Sequence, residues 1–289
     1  MKKISFIFII LILFYNIKYI SDYQLIIKET TYLWFTVLIP SIMPMYVLSN
    51  LLLAIPNYFN MFYYLLNPLY RFENATSTTI FILSFLTSNP TTSIIIVNSL
   101  NQNLISRFEA NRLMRSTSHF SFTFIYLIAG KKFLLIFISL FLASSLIYRF
   151  SRSKGNKRES SSFVSNLSYQ NVINKIIDDG YQVLLKILYI MLTIGLLTNC
   201  INHIFPYKII KILSAFLEIT IGSTYLKFAI SNNFVKYLLI TLLFSFNGVS
   251  IIFQTQNVVK NLLSIKNFLK FRFIHMLLSA FLFTIMWII

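Results

Sequence analysis

Forty-one consecutive residues, Thr30 to Tyr70, contain no Asp, Glu, Lys or Arg. As one helix at 1.5 Å per residue they would reach roughly 60 Å, about twice the hydrocarbon thickness of a bilayer. The window is therefore expected to hold more than one segment, with Pro40, Pro44, Pro56 and Pro68 as places to turn. Asn74–Ser106, Ile187–Tyr207, Tyr237–Val259 and Phe273–Ile289 are likewise free of charge, and a span needs roughly 20 apolar residues. Charged residues make up 11% of the chain and hydrophobic ones 57%, whereas about a quarter of a soluble domain is charged. The expected fold class is all-α: a polytopic helical membrane protein, multi-pass in the cell membrane.

Met1-Lys2-Lys3 followed by Ile4–Phe14 is similar to a secretory signal. No small-x-small cleavage site follows, so an uncleaved span from about Ile4 to Ile20 is expected. The lone Cys200 excludes an internal disulfide and any multi-cysteine metal site. A net charge of +17 would suggest nucleic acid in a soluble chain; in a membrane protein it holds loops in the cytoplasm and meets anionic lipid. Five basic residues lie from Arg149 to Arg158, with no acid before Glu159 and no aromatic after Phe150. This stretch reads as a topology determinant, not a nucleic-acid site. Four parts follow: residues 1–22, a span; 23–148, a first half; 149–170, a basic cytoplasmic linker; and 171–289, a second half.

Two apolar runs are broken by polar residues. Ile80–Leu100 is interrupted at Thr87-Ser88-Asn89-Pro90-Thr91-Thr92, and Tyr237–Val259 at Ser245-Phe246-Asn247-Gly248-Val249-Ser250. Aligning Asn89 with Asn247 sets an offset of 158 residues (247 − 89), which also carries Asn103-Leu104-Ile105-Ser106 onto Asn261-Leu262-Leu263-Ser264. Helices broken at corresponding places in two halves point to a substrate site in a transporter-like protein. Tyr23–Phe35 and Asn171–Asp179 read as amphipathic entries, Leu38–Ile55 as a span, and Tyr58–Tyr70 and Ile209–Gly222 as half-helices.

Four stretches resemble one family: Leu38-Ile39-Pro40-Ser41-Ile42-Met43-Pro44-Met45; Ser88-Asn89-Pro90-Thr91-Thr92 with Asn103 to Leu113; Leu217-Glu218-Ile219-Thr220-Ile221-Gly222; and Phe246-Asn247-Gly248-Val249-Ser250 with Gln254. In this order the chain, from about Leu33 to Leu282, resembles the sporulation integral membrane proteins of the YlbJ type, which carry the Gate or "nucleoside recognition" domain. The resemblance implies two Gate-like halves and a membrane role in endospore formation, in assembly of the spore envelope and cortex. The family's first break is glycine-rich, whereas Ser, Asn and Thr occupy it here.

The candidate substrate-binding residues are Ser88, Asn89, Pro90, Thr91, Glu218, Thr220, Asn247, Gly248, Ser250 and Gln254. Asn89-Pro90 reads equally as a plain kink with Ser88 and Thr91 capping freed backbone groups; the second break favours function. Glu218 is an acid flanked by apolar residues, where a carboxylate is expensive. Arg71–Glu73 reads as a surface ion pair, Glu109–Arg112 as a pair on a solvated helix, and His119 and His275 as interface residues with no partner at metal spacing. Asp178-Asp179 point about 100° apart on a helix and form no facing dyad. No hydrolase, metalloprotease or phosphate-loop motif is present, so no enzyme, cofactor or metal is expected. Transport or gating of a small solute leads; a non-transporting scaffold that recruits partners in sporulation is the alternative. The bilayer, a small solute and a second copy of the chain are the partners considered.

Overall fold

The computed structural model describes residues 19–54, 60–151, 169–259, 262 and 265–289. Nearly all of the span expected at 4–20 and of the basic linker, Pro56 and most of Asn261–Ser264 lie outside the described residues. No strand occurs among the described residues. The elements are α1 (Ile20–Leu33), a π-turn (Trp34–Leu38), α2 (Ile39–Ala54), α3 (Asn60–Tyr70), α4 (Ala75–Leu83), α5 (Thr91–Asn101), α6 (Arg107–Ser116), α7 (Phe122–Ala129), a 3₁₀ turn (Gly130–Lys132), α8 (Phe133–Phe150), α9 (Tyr169–Ile204), α10 (Lys208–Ser214), α11 (Ile219–Ala229), α12 (Asn233–Phe246), α13 (Gly248–Val259) and α14 (Ile265–Ile288).

Five stretches are long and apolar enough to cross a membrane: Ile20–Leu51, Phe122–Phe150, Ile177–Ile204, Asn233–Val259 and Lys266–Ile288. The protein is thus an all-α, polytopic helical membrane protein. Its surface agrees with a lipid environment. On α8, Leu134, Ile138, Leu142 and Leu146 form an outward apolar stripe at four-residue spacing, while Ser139 and Ser144 are buried. On α14, Phe273, Leu277, Phe281 and Ile285 face outward, whereas Arg272, His275 and Ser279 are fully buried. Polar inside and apolar outside is the arrangement a bilayer favours.

The first charge-free window departs from expectation. Pro40 and Pro44 do not turn the chain, and no interfacial entry precedes a separate span: α1 continues through the π-turn into α2. The π-turn, closed by the Ile39 N–H on the Trp34 carbonyl, lies directly ahead of Pro40. A proline ring clashes with the carbonyl four residues back in a regular α-helix, and a wider turn is a usual place to absorb the change. The Trp34 indole donates to the Leu184 carbonyl at 3.1 Å, tying this helix to α9.

The Phe122–Phe150 stretch folds back on itself. Phe122 lies 5.2 Å from Phe137, and Tyr126 lies 5.2 Å from Phe133, between ring centroids. A continuous helix would separate residues 122 and 137 by roughly 22 Å. Gly130, at φ +55°, makes the turn, so α7 is a half-helix packed on the full-length α8. The expected half-helix Ile209–Gly222 also differs: α10 ends at Ser214 and α11 starts at Ile219. Gly222 comes so close to the turn between them that a Cβ would sit 2.3 Å from the Ala215 carbonyl oxygen.

Helix starts recur at the spacing read from the breaks. α4 starts at Ala75 and α12 at Asn233; α6 starts at Arg107 and α14 at Ile265. Both pairs are 158 apart. The N-caps Asn74 and Asn232 keep the same spacing, and each accepts the amide three residues on, from Ser77 and Val235. One difference stands out. α14 runs unbroken for 24 residues, whereas the corresponding stretch from Arg107 is divided into α6 and α7.

Candidate functional site

The second break is a single residue wide. α12 ends at Phe246, and Asn247 takes the left-handed conformation at φ 77°, ψ 0°, which Asn tolerates better than most residues. Gly248 follows at φ +60°, where a Cβ would lie 2.7 Å from Ile219 Cγ1 and 3.0 Å from the Phe216 carbonyl. The freed amides of Val249 and Ser250 donate to the Phe216 and Leu217 carbonyls, each at 2.9 Å. That turn leads directly into Glu218, the N-cap of α11, which accepts from the Ile221 amide at 2.7 Å. The Thr220 amide and hydroxyl also reach its carboxyl group. The amino end of α11, with Glu218 as its N-cap and Thr220 in its first turn, is thereby fastened to the break at Asn247-Gly248.

The first break is wider, with residues 84–90 outside any helix. Thr87 and Thr92 hydroxyls meet across it at 2.8 Å. The Thr91 hydroxyl donates to the Ser88 carbonyl, and Ser93 donates to Asn89 Oδ1 at 2.9 Å. The Asn89–Pro90 peptide is cis. Local hydroxyls thus take up the backbone and side-chain groups that the break releases.

Both breaks meet a third irregular segment, the connection between α6 and α7. The Asn89 amide donates to the His119 carbonyl at 3.4 Å. The Asn247 side chain donates to the neighbouring Ser118 carbonyl at 2.8 Å. Arg272, on α14, donates to the same Ser118 carbonyl and to that of Arg115. Among the described residues Arg272 is the largest fully buried side chain, and no acidic side chain pairs with it. Among the described residues its guanidinium hydrogen-bonds to backbone carbonyls and lies 5.6 Å from the Phe268 ring centroid.

His119 and His275 are not interface residues; both are buried beside this segment. The His119 ring stacks on Phe85 at 4.4 Å, and His275 lies 6.4 Å from it. Ser144 on α8 bonds His275 Nε2 at 2.9 Å. Several polar atoms around the breaks have no protein partner: Asn89 Nδ2, His119 Nε2, Asn247 Oδ1, Ser250 Oγ and both polar atoms of Gln254. All belong to buried residues. Leaving a buried polar atom unpaired costs about 1–3 kcal/mol, so those of Asn89, His119 and Asn247, on segments joined by hydrogen bonds, call for an explanation. Ser88, Asn89, Pro90, Thr91, Asn247 and Gly248 form the two breaks, Glu218 and Thr220 adjoin the second, and Ser250 and Gln254 follow Asn247 by three and seven residues.

Sequence reading missed Ser118, Arg272 and the depth of the histidines. A signal was present. Phe268, Arg272, His275, Ser279 and Phe283 repeat at helical spacing and are all buried, so Arg272 shares a face with core aromatics instead of with exposed Lys266 and Lys270.

A second polar cluster lies at the other end of α6. Glu109 and Arg112 are not on a solvated face; both are buried, 3.4 Å apart. Arg112 donates to the carbonyls of Tyr148 (2.9 Å), Arg71 (2.9 Å) and Tyr70 (2.7 Å), capping the carboxyl ends of α3 and α8. The Tyr148 hydroxyl donates to Glu109. Glu73 turns to Ser106, accepting from its hydroxyl at 2.6 Å and its amide at 3.2 Å. Burial pushes the Glu109 carboxyl up from its ordinary range, opposed by the Tyr148 hydroxyl and Arg112 and reinforced by Glu73. Among the described residues, no group of three or more His, Cys, Asp or Glu could hold a metal ion. Comparison of the chain with family models, curated proteins and solved structures finds no match in any of the three.

Proposed function

We propose that this protein transports or gates a small solute across the cell membrane, with the solute bound where the two breaks meet the Ser118–His119 segment. One observation carries the reading: three irregular segments from distant parts of the chain converge inside a membrane protein and leave donors and acceptors unpaired there. Irregular backbone at that depth is tolerated where it is enclosed by protein or lines a cavity, and broken helices at matching positions are the usual makings of a transporter site. The recurrence of helix starts and of the Asn N-caps 158 residues apart supports two related halves. By its resemblance to the YlbJ type, the process served is endospore formation.

The test is Glu218→Gln. The amide oxygen still accepts the Ile221 N–H, so insertion and stability are expected to hold within about 1 kcal/mol. Spore formation in the parent organism is expected to fail, because the carboxylate that can charge and discharge beside the site is gone. Normal sporulation by this variant would replace transport with the scaffold reading.

A further inference from the structure

The first half contains a buried ionic cluster that the solute site does not use, and the second half has no counterpart. At the 158-residue offset, Glu73, Glu109 and Arg112 correspond to Ser231, Asn267 and Lys270. We propose that Glu109, with Glu73, Arg112 and Tyr148 around it, is a proton-binding site, and that its proton is the ion coupled to the solute site. The coupling role rests on the transport reading; the proton site does not.

Charge balance carries the first part. Two carboxylates and one guanidinium leave one net negative charge in a site where Glu109, Arg112 and Tyr148 are all buried, and one proton neutralises it. Glu73 sits at the amino end of α6, where the helix dipole favours an anion, with Oε2 accepting two bonds from Ser106 and Oε1 without a protein partner. Ser106 in turn accepts the Glu109 amide at 3.1 Å. In a capping box the Glu three residues on would take the Ser106 amide. Here Glu73 takes it, which frees the Glu109 side chain to turn inward.

The cluster holds its shape in both protonation states. Three backbone carbonyls fix Arg112 whatever the charge on Glu109, whose own contact to Arg112 is the longest of the four at 3.4 Å. The groups facing Glu109 are Tyr148 from α8, Arg112 on its own helix, and Glu73 from the α3–α4 connection, whose amide also reaches the carboxyl. α6 then supplies the link to the solute site. Ten residues long, it carries Glu109 in its first turn and leads into Ser118 and His119 just beyond its end, about 14 Å away at 1.5 Å per residue. A shift of this one rigid helix moves the carbonyls that hold Asn89, Asn247 and Arg272.

The test is an infrared titration of the purified full chain in lipid nanodiscs, with the proton as the probe. Expected is a buried-carboxyl band that titrates above the ordinary glutamate range of about 4.3 and disappears in Glu109→Gln. Tyr148→Phe removes a donor to the carboxylate and is expected to raise the midpoint by about one pH unit; Glu73→Gln removes a like charge and is expected to lower it by a similar amount. If Glu109→Gln does not fold, these opposite shifts decide the matter. A band unchanged in Glu109→Gln, absence of any such band, or shifts of the same sign would overturn the proton site. A normal Glu218→Gln phenotype together with these titration results would defeat the transport reading and leave the proton site standing.

Discussion

The two broken runs solve one problem in opposite ways. The second changes direction at Asn247-Gly248, and its loosened amides are received by a distant turn at Phe216 and Leu217. The first spreads its break over residues 84–90 and fills it largely with its own hydroxyls from Thr87, Thr91, Thr92 and Ser93, while the Phe85 carbonyl and Asn89 amide pair with Phe122 and His119. A narrow break depends on backbone geometry that few residues adopt, so it concentrates stability at one glycine. A wide break distributes the same demand over side chains that substitute for one another. The second break should therefore be brittle and the first forgiving.

Gly248→Ala breaks that comparison most severely if it is wrong. An added methyl meets Ile219 and the Phe216 carbonyl at a positive φ. Left-handed strain of roughly 1–2 kcal/mol and overpacking of about 1–3 kcal/mol are expected to sum to about 3 kcal/mol, read by thermal unfolding in detergent. Next in size is Asn247→Ala, expected to lose about 2 kcal/mol, from its φ of 77° and the bond to Ser118. Asn247→Gly keeps the backbone freedom and loses only the bond, so about 1 kcal/mol is expected. The smallest effect belongs to the first break. Asn89→Ala removes the acceptor of Ser93 and should cost about 1 kcal/mol or less. A loss at Asn89 equal to that at Gly248 would contradict the contrast between the breaks.

The class of fold and the sites of the two breaks were legible because they depend on composition and on residues with strong backbone preferences: long charge-free windows, Asn-Gly and Asn-Pro. Two features were not legible for the same reason in reverse. The connection Thr117–Ser121 contains neither Gly nor Pro, and its irregularity is set by tertiary donors, Arg272 and Asn247, that no local pattern announces. Glu109 and Arg112 stand in a polar stretch that reads as solvated. They are buried because Arg112 caps helix ends supplied by Tyr70 and Tyr148, 42 and 36 residues away. Pro40 and Pro44 misled in the other direction, since the π-turn ahead of Pro40 lets one helix run through both.

Convergence of the breaks on one water-facing polar site is tested most directly by thiol accessibility. Ser88→Cys and Ser250→Cys, each close in size to the residue it replaces, are introduced separately and together in a Cys200→Ser background in intact membranes. Both positions are buried in this conformation, so reaction reports opening of the site to water during the protein's working motion. The expected result is that a water-soluble thiol reagent modifies each cysteine, and that a bulky adduct at one position slows reaction at the other. Reaction of both cysteines with a lipid-soluble maleimide alone, or with neither reagent, would show two dry kinks in place of a shared site.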